Sequence, residues 1–342
     1  MMSSKVLLIY TGGTIGMVKD HETGELKGLD LAYIHNQIPE IAQLGVSVSS
    51  LSISSPIDSS DMSPAVWLEL SQIIAENYEK FDGFVVLHGT DTMAYTAAAL
   101  SFLIQGIQKP IILTGSQLPI GILRTDGKEN LLTSIEIAGK KTASGAPVLK
   151  DVAVFFQSKL FKGNRCSKVS ANQFDAFDSP NHALLGAVGV EINISPLPKD
   201  NPKDEPSLRF YPKLNDKIGL MKLFPGMNPK AYECLFNRDH HVAIVIETFG
   251  AGNAFSDLRF QSMILAYIGS GGVVLNITQC VSGSVQQGKY ASSRFFEKAG
   301  VISGGDMNVE SALTKLMWLY GNFSDIDEIK KLLKESVVGE MN

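Results

Sequence analysis

Two glycine–threonine turns decide the fold of this chain: Tyr10-Thr11-Gly12-Gly13-Thr14-Ile15-Gly16-Met17 and Leu87-His88-Gly89-Thr90-Asp91-Thr92-Met93. Each follows a short apolar run, at residues 6–10 and 84–87, that is typical of a buried strand. Glycine lets the backbone turn tightly at the end of a strand and lets a ligand approach it closely. Because open parallel sheets bind ligands beyond the carboxyl ends of their strands, the sequence predicts two threonine hydroxyls at a ligand site.

Strand-like and helix-like segments alternate around these turns. Trp67, Leu70, Ile74 and Tyr78 recur at helical spacing and predict one apolar helix face. The predicted strands are 83–87, 110–113 and 152–156, and the predicted helices are 64–78, 92–104 and about 128–138. The alternation predicts an α/β fold, in which an N-terminal domain has a mostly parallel sheet with helices on both faces.

A proline-rich stretch interrupts this alternation. Prolines crowd the residues between Ser195 and Asn215, at a density that opposes both helix and central strand. Beyond it, the predicted strands are 218–224, 242–247 and 273–277, and the predicted helices are 229–236, 258–268, 309–320 and 325–334. The sequence therefore predicts an N-terminal α/β domain at 1–195, a linker at 196–216 and a smaller α/β C-terminal domain at 217–342.

Composition and charge exclude several classes of partner. The formal net charge is −5 and no Lys/Arg-rich block interrupts it, so nucleic acid is not an expected partner. No apolar stretch approaches the ~20 residues that span a bilayer, and the first residues do not read as a signal peptide. We therefore expect no membrane association and a cytoplasmic location. The three cysteines and six histidines are scattered, so neither a disulfide framework nor a metal site is predicted.

Thr14 admits several interpretations from the residues alone. It could cap a helix, hold a phosphate, or act as a nucleophile, which would need a base or another proton-accepting partner. A dinucleotide site is disfavoured because the glycines do not read G-x-G-x-x-G and because the second strand ends in Ser-Ser-Pro rather than in an acid. A P-loop is disfavoured because no lysine follows the glycines.

Two charged residues and one histidine also admit a structural interpretation. Asp91 could cap the helix at 92–104, or it could bind the α-ammonium group of an amino-acid substrate. Lys168 follows a polar loop and could be a solvated surface charge. His88 is predicted to be structural, because no acidic residue is spaced to orient it as a base.

The order of the motifs resembles the L-asparaginase family, and most closely its cytoplasmic, type I bacterial branch. The resemblance covers nearly the whole chain. It rests on GGTIGM at 12–17, DSSDM at 58–62, HGTDTMAYTA at 88–97, TGSQ at 114–117, GNR at 163–165 with Lys168, FDAF at 174–177, GAGN at 250–253 and NITQC at 276–280. Any one of these motifs is weak, whereas all of them in this order are highly specific.

The resemblance implies an enzyme that converts L-asparagine to L-aspartate and ammonia, with Thr14 as the nucleophile. Thr90, Asp91 and Lys168 would form a triad in which the lysine polarises or deprotonates the threonine hydroxyl. No cofactor is expected. A glutaminase-leaning amidohydrolase and a non-catalytic amino-acid sensor remain as alternatives.

The resemblance also implies how the substrate is held. Ser59, Ser60 and Asp91 would bind the amino-acid head group. The Ser116 backbone would lie near the side-chain amide. Asn253 would reach the site of a neighbouring subunit, so a homodimer or a homotetramer is expected.

Two departures from the family pattern concern the lid and regulation. The lid after the first threonine lacks a tyrosine, and Glu25 stands roughly at that position. Tyr290 would then serve as an auxiliary residue. Some bacterial relatives have a regulatory asparagine site with an arginine at the position of Glu247, where an acid is expected to repel the carboxylate of the effector.

Overall fold

The chain forms two compact units. The computed structural model describes residues 3–13, 15, 18–19, 26–27, 38–195, 207–288 and 291–342. Contacts divide the chain into Met1–Pro212 and Lys213–Asn342. This division lies inside the predicted linker 196–216. Within the described ranges, no helix has the length and apolar character needed to cross a membrane.

The first unit is built on one large sheet with helices packed against it. Its strands are β1 (Lys5–Gly12), β2 (Val18–Lys19), β3 (Leu26–Lys27), β4 (Ser47–Ile57), β5 (Gly83–Leu87), β6 (Ile104–Gln105), β7 (Ile111–Thr114), β8 (Val152–Phe156), β9 (Lys159–Lys162), β10 (Ser167–Lys168), β11 (Phe177–Asp178), β12 (Gly186–Val188), β13 (Ile192–Ile194) and β14 (Arg209–Phe210). Its helices are α1 (Pro64–Asn77), α2 (Met93–Leu103) and α3 (Gly127–Gly139). The strands and helices predicted between residues 64 and 156 are therefore all present.

The large sheet is mixed. Its eight strands have the order β13-β12-β9-β8-β7-β5-β1-β4. Five neighbouring strands of this sheet pair in parallel, in the order β4-β1-β5-β7-β8. At the other edge, β9, β12 and β13 add antiparallel partners. The predicted α/β class with a mostly parallel sheet is confirmed. The antiparallel edge was not predicted from the sequence.

Burial follows from the position of each strand in this sheet. Every residue of β5 and β8 is buried, and successive side chains of a strand point to opposite faces, so both faces of the sheet centre are covered. Helix α3 contacts β5 and β7, and α2 contacts β8. Strand β4 lies at the edge and is rich in exposed serines, which keeps that edge polar.

The second unit carries a smaller, parallel sheet in the order β15-β16-β17-β18. Its strands are β15 (Ile218–Lys222), β16 (Ala243–Thr248), β17 (Val273–Thr278) and β18 (Ile302–Ser303), and its helices are α4 (Leu258–Gly269), α5 (Ala291–Ala299), α6 (Val309–Asn322) and α7 (Ile326–Lys334). The predicted helix at 229–236 is instead the 3₁₀ segment Pro229–Phe236. Only Pro229 is fully buried there, and Tyr232, Leu235 and Phe236 pack partly buried against the core of this unit.

A buried ion pair fastens the last residues of the second unit. Lys315 lies on α6, and its Nζ contacts Glu340 at 2.5 Å and donates to the carbonyl of Glu335 at 2.6 Å. Both charged side chains are 0% exposed. Glu340 also accepts hydrogen bonds from the backbone N–H groups of Val337 and Val338. Burial lowers the pKa of Lys315, and the adjacent carboxylate opposes that shift.

Candidate active site

Four loops meet at the carboxyl edge of the first sheet. Strands β1, β4, β5 and β7 end at neighbouring positions, because Gly12 pairs with Ile57, Tyr10 pairs with Leu87, and Leu87 pairs with Thr114. The loops that follow these strands carry the motifs that the sequence analysis singles out. This is the edge at which parallel sheets bind ligands.

The two glycine–threonine turns touch each other through their glycines. Gly13 has a φ of +86°, and a Cβ built on it would lie 2.4 Å from the backbone nitrogen of Gly89. A Cβ on Gly89 would lie 2.5 Å from the hydroxyl oxygen of Ser59. Only glycine fits both positions, so the loops after β1, β4 and β5 pack at backbone distance.

Lys168 joins Thr90 and Asp91 into one hydrogen-bonded cluster. It lies on β10, and its Nζ donates to Thr90 Oγ1 at 2.8 Å and to Asp91 Oδ1 at 2.7 Å. The Lys168 side chain is 15% exposed, whereas the Asp91 side chain is 67% exposed. The ammonium group is therefore mostly shielded from water, which rules out a freely solvated lysine, while the carboxylate is open to a ligand.

Asp91 does not cap helix α2, which was the alternative interpretation of this residue. The N-cap position belongs to Thr92, and the helix has no side-chain capping bond. Thr92 Oγ1 instead donates to the carbonyl of Ser59 at 2.6 Å. This bond ties the loop after β5 to the loop after β4 and leaves the Asp91 carboxylate to Lys168.

The loop after β4 forms a tight turn around Asp58. Its Oδ1 accepts hydrogen bonds from the backbone N–H and from the hydroxyl of Ser60, both at 2.9 Å. The backbone N–H first, and the hydroxyl second, hold the pKa of the Asp58 carboxyl below its usual range. Ser59 is buried and lies against Gly89. Because the Ser60 hydroxyl is already engaged, this geometry favours Ser59 over Ser60 as a ligand contact.

Gln117 also contacts Thr90, although the sequence motifs assign it no role. Thr90 Oγ1 donates to Gln117 Oε1 at 3.1 Å. The amide nitrogen of Gln117 donates to the backbone carbonyls of Ala171 and Gln173, in the loop that follows Lys168. These carbonyls are 54 and 56 residues away in the chain, so only the fold reveals the contact.

The first turn of α3 holds the loop that carries Gln117. The carboxylate of Asp126 accepts hydrogen bonds at 3.0 Å from the backbone N–H of Gln117. Asn130 Nδ2 donates to the carbonyl of Gly115 at 3.0 Å. Between these anchors, Ser116 is 2% exposed, and its hydroxyl has no hydrogen-bond partner in the described chain. Such a hydroxyl is available to a ligand or to a water molecule.

His88 lies beside the cluster but belongs to the core. Its Nδ1 lies 2.6 Å from the carbonyl of Gly89, so this nitrogen carries the proton, and Nε2 accepts from Thr96 Oγ1 at 2.8 Å. Thr96 in turn accepts from Trp67 Nε1. Burial lowers the pKa of His88 to about 4, so the ring is neutral at pH 7. This closed set of bonds agrees with the structural role predicted for His88.

The described part of the first unit does not include every predicted site residue. Thr14, Glu25 and Tyr290 lie outside the described residues. Asn253 lies in the second unit, where it forms a β-bridge with Phe249. The roles of these residues stay predictions. Across the part of the chain that the structure describes, no group of His, Cys, Asp and Glu could hold a metal ion.

Glu247 has a cationic neighbour within the second unit. Its side chain lies 3.5 Å from Lys222 Nζ and is 13% exposed. Its backbone carbonyl accepts a hydrogen bond from Gln279 Nε2 at 2.8 Å. The acid at this position is therefore partly shielded and already paired.

Comparisons with known proteins cover both units. A family model described as "Asparaginase, N-terminal" matches residues 5–199, and one described as "Glutaminase/Asparaginase C-terminal domain" matches residues 217–333. L-asparaginase 1 of Escherichia coli K12 is 37% identical over 347 residues, which cover 100% of this chain and 99% of that protein.

Solved structures match over the same length. The crystal structure of L-asparaginase I from Vibrio cholerae is 35% identical with a TM-score of 0.88, and 99% of each chain is covered. The crystal structure of a probable cytoplasmic L-asparaginase from Campylobacter jejuni is 26% identical with a TM-score of 0.80, and the match covers 98% of this chain and 100% of that one. These matches confirm the resemblance drawn from the motifs.

Proposed function

The chain belongs to the asparaginase family and hydrolyses the side-chain amide of L-asparagine, and we propose that Thr14 is its nucleophile. We also propose that the cluster of Thr90, Lys168 and Asp91 moves the protons. The observation that carries this proposal is the Lys168 ammonium group, which contacts both the Thr90 hydroxyl and the Asp91 carboxylate. The contact between Gly13 and Gly89 supports it, because Thr14 and Thr90 directly follow those glycines.

The proposed reaction has two stages. The Thr14 oxygen attacks the side-chain carbonyl carbon of L-asparagine, and backbone N–H groups near Gly89 and Thr90 stabilise the negative oxygen that forms. The C–N bond then breaks, ammonia leaves with the hydroxyl proton of Thr14, and an ester to Thr14 remains. In the second stage, water attacks the ester, L-aspartate leaves, and Thr14 regains its proton.

Thr90 and Lys168 are suited to this proton transfer. The Thr90 oxygen accepts a hydrogen bond from Lys168 and keeps one further acceptor position, which can accept a hydrogen bond from Thr14 or from water while the proton itself passes to the leaving nitrogen. The Lys168 ammonium stabilises negative charge that develops on these oxygens. Its low exposure strengthens that effect, because electrostatic interactions are stronger where water is excluded.

The substrate head group would bind around the same cluster. Asp91 pairs with Lys168 through Oδ1, which leaves Oδ2 for the α-ammonium group. Ser59 would hold the α-carboxylate, and Ser60 would contribute only if its hydroxyl turned away from Asp58. The turn at Ser116 would lie along the side-chain amide, and its unpaired hydroxyl supports a polar contact there.

Two properties of the whole protein belong to the same proposal. We propose a homodimer or a homotetramer, in which Asn253 contributes to the site of a neighbouring subunit. We also propose a cytoplasmic location, which is supported by similarity over the whole chain to a protein described as a probable cytoplasmic L-asparaginase.

Ammonia release by the purified protein tests the function. L-Asparagine should be hydrolysed with a higher kcat/KM than L-glutamine. A preference for L-glutamine would favour the glutaminase alternative, and binding of L-asparagine without turnover would favour the sensor.

Thr14→Val tests the nucleophile, because valine keeps the volume of the side chain and removes its oxygen. The kcat should fall by several orders of magnitude while the circular dichroism spectrum and the melting temperature stay unchanged. A folded variant that kept more than about a tenth of the wild-type kcat would show that another group attacks the substrate.

A further inference from the structure

We propose that Gln117 is a positioning residue with two effects. It fixes the direction of the Thr90 hydroxyl proton, and it holds the loop at 169–173 (the Lys168 loop) close to Thr90. This inference rests on the proposed function, since it concerns the proton-transferring cluster of the same reaction. It starts from the orientation of one side-chain amide. The amide nitrogen of Gln117 donates to the carbonyls of Ala171 at 3.3 Å and Gln173 at 3.0 Å.

Those two carbonyls determine which end of the amide faces Thr90. If the amide were turned over, its oxygen would face two carbonyl oxygens, and three acceptors would meet without a donor. The amide oxygen must therefore point to Thr90 Oγ1, which lies 3.1 Å away. The orientation follows from hydrogen-bond chemistry.

The proton of Thr90 is then fixed by elimination. An ammonium group can only donate, so the Thr90 oxygen accepts from Lys168 at 2.8 Å. The single hydroxyl proton of Thr90 is directed to Gln117 Oε1. The remaining lone pair of the Thr90 oxygen is left as an acceptor for a water molecule or for a hydroxyl group of the reaction. Gln117 thus presents the Thr90 oxygen to the reaction as a hydrogen-bond acceptor.

Gln117 is itself held on two sides. Its backbone N–H is fixed by both carboxylate oxygens of Asp126 at 3.0 Å, and Asp126 is 9% exposed. Its side chain bridges to the loop that begins three residues after Lys168. One side chain therefore fixes Thr90 and the Lys168 loop relative to each other.

Two substitutions of Gln117 distinguish a role in positioning Thr90 from a purely structural role in packing. Gln117→Met keeps the length of the side chain but cannot accept the hydrogen bond from Thr90. We expect kcat to fall roughly tenfold, with KM changed less than about threefold, at every pH. Gln117→Glu is isosteric, and its introduced carboxyl can mimic the amide only when protonated: its carbonyl oxygen accepts from Thr90 and its O–H donates to a backbone carbonyl.

The pH dependence of kcat in Gln117→Glu tests the positioning role, because a purely structural role of Gln117 would not change it. When the introduced carboxyl ionises, it loses that donor, faces two carbonyl oxygens and attracts Lys168 away from Asp91. The ratio of kcat for Gln117→Glu to wild-type kcat should therefore fall about tenfold as the pH rises through this ionisation, while the ratio for Gln117→Met stays flat. Gln72→Met, at an exposed glutamine on α1, is the matched control and should behave as wild type.

The outcomes separate this inference from the proposed function. Wild-type kcat in both Gln117 variants at every pH would overturn the inference and leave the proposed function standing. A pH-independent loss in Gln117→Glu, or loss of folding in both variants, would assign Gln117 a purely structural role and would also overturn it. Absence of ammonia release by the wild-type protein would overturn the proposed function and this inference together.

Discussion

At the scale of the residue, the function of Lys168 depends on where the N–H groups of its ammonium point. Two of its three N–H groups point to partners that follow each other in the chain, the Thr90 hydroxyl and the Asp91 carboxylate. Because Asp91 is largely exposed, the ion pair itself adds little to stability. Its value lies in placing a charge beside a hydroxyl that the reaction needs.

Lys168→Met should lower kcat by roughly 10²–10⁴-fold with a smaller effect on KM, because the charge matters most when protons move. The double variant with Thr90→Val should be little worse than either single variant, since the lysine acts through the threonine hydroxyl. Steady-state ammonia release from the three variants measures this coupling. Lys230→Met, at an exposed lysine of the second unit, is the control. Fully additive losses would show that the two residues act independently.

His88 should make the protein less stable in acid. The folded state holds its pKa at about 4, against an ordinary value of 6.5. Between these values the unfolded state binds more protons, so the free energy of unfolding falls as the pH decreases, by ~3 kcal/mol at most. His88→Asn should be less stable at pH 7 and should lose less stability between pH 6.5 and pH 4. Denaturant unfolding across that pH range measures the free energy of unfolding of both proteins. The same pH dependence in both would contradict a lowered pKa of His88 in the folded state.

At the scale of the element, the site depends on how closely the loops after neighbouring strands approach each other. The loop after β1 touches the loop after β5, and that loop touches the one after β4, in each case at a glycine. A side chain at such a point displaces backbone, which cannot move aside as a flexible side chain can. The glycines therefore set the spacing between the threonine turns.

Gly13→Ala and Gly145→Ala form a matched pair that measures this spacing. Both glycines have a φ of +86°, but a Cβ on Gly145 meets nothing within 4 Å. Both variants should suffer the strain of a left-handed alanine, about 1–2 kcal/mol. Only Gly13→Ala should lose further stability and most of its kcat, because its Cβ overlaps Gly89. Equal losses in unfolding and in ammonia release would mean that the contact is unimportant.

The sequence revealed the elements whose patterns are local. Strands β5 and β8 are uninterrupted apolar runs because both of their faces are buried, so they were predictable. Strands β9, β12 and β13 are short and antiparallel. Their pairing partners cannot be predicted from the local sequence pattern. The same limit applies to the site. The threonine turns are visible as motifs, whereas the bond from Gln117 to the loop at 171–173 joins residues more than 50 positions apart.

At the scale of the whole molecule, the second unit should depend on one buried pair. Lys315→Met leaves the Glu340 carboxylate without a cation at a site that is 0% exposed, and should cost about 3–5 kcal/mol in the unfolding of this unit. Adding Glu340→Gln should recover part of the loss, because the uncompensated charge is removed. Urea unfolding of the full chain measures Lys315→Met, Glu340→Gln and the double variant, with Lys331→Met on the exposed side of α7 as control. A double variant that shows the sum of the two single losses would disprove the pairing.

L-Asparagine velocity curves should be hyperbolic, or only weakly sigmoidal. The family resemblance implies that regulated relatives place a carboxylate-binding arginine at the position of Glu247, and Glu247 is already paired with Lys222. Cooperativity requires an effector that binds one state better than another, and a carboxylate facing a shielded acid is repelled. Initial rates over a wide range of L-asparagine test this expectation. A Hill coefficient near the number of subunits, with a second L-asparagine bound per subunit in calorimetry, would contradict it.

The place of β1 in the sheet has a consequence for synthesis on the ribosome. This strand is translated before β4 and β5, yet it lies between them in the sheet. Its apolar residues must wait for residues 47–57 and 83–87 to emerge before they have sheet partners, and Lys168 follows Thr90 by a further 78 residues. Strand β1 therefore lacks its second sheet partner until residue 87 has emerged, and the cluster stays incomplete until residue 168 has emerged, which makes β1 a segment that a ribosome-bound chaperone would protect early.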